Sequence, residues 1–257
     1  MRRRFRLGWA FAAVFAVVNG ASGAPTGHPP TALVVGNDVF QPGAAYQTGP
    51  GWLGLLCDLS GCRLVPARLE VSPARPTGLY DDQPIAGQQL RFTLASKAPG
   101  RVLGWFHPDA RLPWLVPGSV TTYVSAGDGV KRRSEGGTFD VTVPLPGGQM
   151  TIIAPLLDQQ HGAIVLQLRT TTKRQLLRVL PTCSGEGLDR FLLWAGDIDR
   201  DGRPDYLLDF ASQTGGEAVL YLSSAADASQ PLVGPGAVFQ GASSGAECDG
   251  GSAWLGN

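Results

Sequence analysis

Apolar residues in this chain recur in short alternating runs broken by glycine and proline, the period-two signature of strands rather than the 3.6-residue stripe of helices. Residues 64–71 and 88–95 predict two strands, separated by the proline-bearing stretch 73–84. Residues 139–145 and 150–154, joined through Pro146-Gly147-Gly148, predict a hairpin, and 163–168 with 175–180 predict a second that turns near 171–174. Further on the pattern changes. Phe191-Leu-Leu-Trp-Ala195 and Tyr206-Leu-Leu-Asp-Phe210 are apolar bursts without strict alternation, still too short for helices. The expected fold class is all-β, with a sandwich-like N-terminal region over 31–181 and a C-terminal β region over 182–257, dividing near Pro181-Thr-Cys183.

The exception is the N-terminus, where Arg2, Arg3, Arg4 and Arg6 precede an almost wholly apolar run over 7–18 and then Gly20-Ala-Ser-Gly-Ala24. That order of basic, apolar and small residues predicts a cleaved signal peptide over 1–23, hence a periplasmic or extracellular protein. The apolar run is too short to span a bilayer stably, and no later segment has the length of a membrane helix, so no stable membrane insertion is expected after cleavage. Arg3-Arg4 is compatible with twin-arginine export and equally with the general route. Residues 24–30 are expected to be a flexible tether.

Between the two apolar bursts lies Asp197-Ile-Asp199-Arg-Asp201-Gly202-Arg203-Pro-Asp205, carboxylates at odd positions around one glycine. A hard cation that takes oxygen ligands is served by this spacing: Asp197, Asp199, Asp201 and Asp205 offer carboxylates at loop positions 1, 3, 5 and 9, and Arg203 its carbonyl at position 7. Gly202 allows the sharp fold at position 6. The expected cofactor is a structural Ca2+. An EF-hand would carry a bidentate Glu at position 12, where this chain has Leu208, so the loop belongs to a strand hairpin instead.

With Ala195-Gly196 before it and Tyr206-Leu207-Leu208 after it, this loop resembles the calcium hairpin of FG-GAP and VCBS-type repeats. Together with Leu193-Trp194 and Leu220-Tyr-Leu-Ser-Ser-Ala-Ala226, it is similar to a group of exported proteobacterial proteins of unknown function. The resemblance covers the last third of the chain and implies calcium and export, but no reaction. It departs from the repeat families in having one Asp-x-Asp-x-Asp-Gly copy, whereas a propeller or solenoid needs several units to bury a continuous core.

Charge narrows the partners. The chain carries 21 Lys+Arg and 21 Asp+Glu; removing the four arginines of the N-terminal segment leaves 17 minus 21, or −4, which gives no reason to expect nucleic acid. Lys131-Arg-Arg133 reads as a solvated hairpin tip. Four cysteines in an oxidising compartment suggest two disulfides; three pairings are possible, with Cys57–Cys62 and Cys183–Cys248 favoured.

Catalytic residues are not assigned. Gly241-Ala-Ser243-Ser-Gly245 has the letters of a nucleophile elbow, yet no histidine follows His161 to complete the usual order. His28 falls in the tether and His161 in a turn. His107 lies within Trp105-Phe-His-Pro-Asp109, near Trp114, where aromatics serve core packing more readily than a sugar platform. The expectation is an exported, calcium-stabilised β protein acting by binding, with a protein or glycan as partner. The alternatives are a secreted or periplasmic hydrolase with a dispersed site, and a periplasmic inhibitor or immunity-type protein.

Overall fold

The structure, a computed structural model, describes residues 31–43, 45–76, 84–109, 112–125, 131–135, 138–146, 150–158, 163–181, 191–210 and 217–241. The expected signal peptide and tether, Cys183, Cys248, His28, His161 and Ser243 lie outside them. The chain is all-β. Among the described residues no helix is long and apolar enough to cross a membrane.

One 11-stranded antiparallel sheet is built from both ends of the sequence. Its first part comprises β1 (Leu33–Val34), β2 (Val39–Pro42), β3 (Gly49–Asp58), β4 (Gly61–Ala74), β5 (Gly87–Leu94), β6 (Arg101–Phe106) and β7 (Gly118–Ser125). Five strands of a separate sheet follow: β8 (Lys131–Glu135), β9 (Thr138–Pro144), β10 (Met150–Asp158), β11 (Ala163–Arg169) and β12 (Arg174–Pro181). The chain then rejoins the large sheet through β13 (Leu192–Asp197), β14 (Asp205–Asp209), β15 (Glu217–Leu222) and β16 (Gly234–Gln240).

The path through the large sheet runs β1-β6-β3-β4-β7-β13-β14-β15-β16, and it curls until β1 lies against β15 and β16. The long strand β4 divides one edge between two partners. Cys62–Leu64 pairs with β7, whereas Ala67–Ala74 pairs with β5. Its burial changes along its length: Leu64 and Val65 are both buried, and beyond them the strand alternates, with Ala67 and Leu69 buried and Pro66, Arg68 and Glu70 exposed. The turn between β3 and β4 is tight. Cys57 and Cys62 are register partners and form a disulfide, and Asp58 Oδ1 accepts from the Ser60 amide at 2.7 Å.

The apolar bursts of β13, β14 and β15 now have a physical reason, because these strands are buried on both faces. Leu193, Trp194, Leu207, Leu220 and Leu222 join the core with β1–β6, whereas Leu192, Ala195, Tyr206, Leu208, Val219 and Tyr221 pack against the five-stranded sheet. A strand with two dry faces reads as continuous hydrophobicity. Polar pins cross the second interface: the Tyr206 and Thr151 hydroxyls lie 2.8 Å apart, Tyr221 donates to Leu177 O at 3.1 Å, and Arg178 pairs with Glu217. Gln175 on β12 adds a fourth tie, accepting from Leu232 and Val233 amides and donating to Val233 O.

Two sequence expectations need comment. Lys131-Arg-Arg133 forms no hairpin tip; it starts β8, paired with β9 from Lys131↔Thr142 to Glu135↔Thr138. The position 181/182, where two regions were expected to divide, does not separate two sheets of the C-terminal and N-terminal halves. β13 pairs directly with β7, Trp194 opposite Ser125 and Asp197 opposite Thr121.

Candidate metal centre

The acidic loop connects β13 to β14, and both of its shoulders are clamped. Gly196 sits where a Cβ would fall 2.2 Å from Thr121 O, so only glycine lets β13 approach β7 this closely beside the loop. Within the loop the backbone turns through two left-handed residues, Arg200 at φ 63° and Gly202 at φ 81°. Gly202 relieves the more forward of these strains, and its amide donates to Asp197 Oδ2 at 3.0 Å.

This folding gathers Asp197, Asp199 and Asp205, whose nearest oxygens all lie within 4.8 Å of one another. Asp205 is fully buried and holds the loop from below: Oδ2 accepts the Ile198 amide at 2.8 Å and Oδ1 the Ser223 amide at 2.8 Å. Asp197 is also buried, yet its Oδ1 has no hydrogen-bond partner among the described residues. A buried carboxylate oxygen without a partner costs free energy, and a cation between three carboxylates would remove that cost. The donor set is all oxygen, which suits a hard divalent ion and not a thiophilic one. The cluster fits a metal ion.

Asp201 is not part of that trio. Its Oδ2 accepts from the Arg203 guanidinium at 2.8 Å and the Ser223 hydroxyl at 2.8 Å, and its Oδ1 accepts the Arg203 amide at 2.8 Å. Arg203, expected to offer its carbonyl, is thus bound to Asp201 through its amide and side chain. The Ser224 hydroxyl donates to Asp199 Oδ2.

The electrostatics follow this geometry. Burial pushes the Asp205 carboxyl up to about 7, against its backbone donors, with the Asp199 charge adding to the rise. Burial likewise raises Asp199, and the neighbouring Asp201 and Asp197 charges add to it. For Asp201 burial works in the same direction but is outweighed by the Ser223 hydroxyl and Arg203, and its carboxyl falls below the usual range. Tyr123 on β7 feels the loop too: burial, then the charges of Asp197, Asp205 and Asp201, raise its phenol.

Ser223 and Ser224 carry no metal-ligand signature in sequence. Their signal was positional, since they follow the apolar burst of β15, and β14–β15 pairing with Tyr206 opposite Tyr221 brings the end of β15 to the loop. Elsewhere, Trp105 and Phe106 are buried core residues, and His107 packs edge-on against Trp52 at 5.2 Å. The chain matches no family model, no curated protein and no solved structure.

Proposed function

We propose that this is an exported β protein in which the β13–β14 loop holds one structural calcium ion, and that it acts by binding a protein or glycan outside the cytoplasm. The observation that carries the reading is the trio Asp197, Asp199 and Asp205 with a buried, unpartnered oxygen on Asp197. Asp201 and the Arg203 carbonyl are the further oxygen donors that the loop pattern supplies. Calcium is favoured over magnesium because a one-piece loop of carboxylates, a carbonyl and backbone turns suits a large ion with flexible coordination. Export rests on the basic, apolar and small segments before Ala24.

The role of the ion is stabilisation. Three carboxylates this close repel one another, and a ligand bound by the native state alone adds about 2.7 kcal/mol at a hundredfold excess over its dissociation constant. Calorimetric titration with calcium and with magnesium, paired with thermal melts of the purified protein and of Asp199→Ala, tests this. Saturable calcium heat with a raised melting temperature, both lost in the variant, is expected. Neither heat nor shift with calcium removes the reading.

A further inference from the structure

At the far end of β14 from the metal loop, a cavity of about 960 Å³ opens between the two walls of the curled sheet. Its floor is apolar, with the buried Leu103 and Leu193 beside the half-buried Val102 and Leu94 in the lining. One side is the Phe92–Trp105 pair, stacked 4.7 Å apart with an interplanar angle of 9°. These rings are held in place. The Trp105 indole donates to Gly36 O at 2.8 Å, and the Asn37 side chain accepts the Phe92 amide at 2.9 Å.

The mouth has a different character. Lys97 and Arg101 stand exposed on its rim, and neither has an ion-pair partner among the described residues. Among the described lining residues, Asp209 is the one carboxylate beside the cations Lys97 and Arg101. A locked apolar hollow with a few polar groups at its entrance has the general form of a small-molecule site, and its size lies in the usual range. Rigid walls also reduce the ordering cost of binding.

We infer that this cavity binds a small amphipathic anion, its apolar body on the Leu103–Leu193 floor and its carboxylate or phosphate head at Lys97 and Arg101. An uncharged apolar ligand would leave the rim cations unused, and a cationic amphiphile would meet them head-on. The site shares no side chain with the metal cluster, so it goes beyond the proposed function and stands whether or not the loop takes calcium.

Isothermal titration of the purified protein in buffer without free calcium, with decanoate, decyl phosphate and decyltrimethylammonium, all below their micellar concentrations, tests the inference. Saturable one-to-one binding of at least one anion, about tenfold or more tighter than the cation, is expected. The tighter anion identifies the head as that of a free carboxylic acid or of a phosphate-bearing lipid. The Lys97→Glu/Arg101→Glu double variant alters only exposed residues and should abolish the anion preference with the melting temperature unchanged. Ala98→Trp, at the lining edge, should weaken all binding. No anion binding, equal binding of the cation, unsaturable uptake, or wild-type affinity in either variant would overturn it.

Discussion

Removing the carboxylate of Glu217 should cost more than any surface substitution, because it takes the carboxylate from a buried ion pair. Arg178 on β12 and Glu217 on β15 are 7% and 6% exposed and bridge the five-stranded sheet to the large one. The guanidinium also lies 5.5 Å from the centroid of the Phe210 ring. Burial raises the Glu217 carboxyl although Arg178 pulls it down, so desolvation outweighs attraction for this group. A buried pair adds little net stability in general, yet losing one partner is expensive. An exposed pair would lose about 1 kcal/mol or less; a buried one broken from one side loses about 3–5 kcal/mol, a large share of a total of about 5–15. Glu217→Ala and Arg178→Met should each fall near the upper range, whereas Arg178→Met/Glu217→Leu should recover most of the loss. Urea unfolding of all four proteins in saturating calcium, followed by tryptophan fluorescence, measures the cycle. Single variants within about 0.5 kcal/mol of the parent would refute the argument, since that is the scale of a solvated surface pair.

Other expectations concern the loop and the first hairpin. In chelator, Asp205 should make the protein less stable as pH rises: its carboxyl moves from 3.8 unfolded to about 7 folded, so its contribution is complete below pH 4 and lost through pH 7. The span is about 4 kcal/mol, and calcium, which favours the ionised form, should flatten or reverse the trend in melts at pH 5 and pH 8. Gly202→Ala places a side chain at φ 81°, which should cost about 1–2 kcal/mol in urea unfolding and weaken calcium binding in the same titration. Cys57→Ser/Cys62→Ser opens a loop with a sequence separation of 5. The loss should be only about 2 kcal/mol in the chain-entropy account, seen as a modest drop in melting temperature.

Much of this architecture is legible in sequence where contacts are local. The β9–β10 and β11–β12 hairpins show as paired apolar runs around short turns, since each strand pairs with its sequence neighbour. The short Cys57–Cys62 bridge was legible for the same reason. The carboxylate spacing of 197–205 marks a cluster that could hold a metal ion, because one continuous segment supplies Asp197, Asp199 and Asp205. What stayed hidden depends on distant pairing. Nothing near Ser125 or Trp194 reveals that they are partners, so the return of the chain to its first sheet could not be read. The division of Asp201 from the trio is equally remote, because Ser223 reaches it only after β15 has docked on β14. Strands β3 and β6 are masked in the sequence because glycine and double-sided burial blur their alternation, and β7 because its run is mostly polar.

The excursion of the chain between β7 and β13 bears on how the protein reaches this structure. Pairing Trp194 with Ser125 closes a loop that, in a flexible chain of about 70 residues, costs about 4 kcal/mol of entropy before any contact repays it. The five-stranded sheet changes that cost, because every one of its pairings joins consecutive strands. A chain that folds this meander first has already shortened the loop the larger sheet must close, and it offers β13–β15 one of their two dry faces. The metal hairpin, which needs both faces and the end of β15, is then among the last elements to settle.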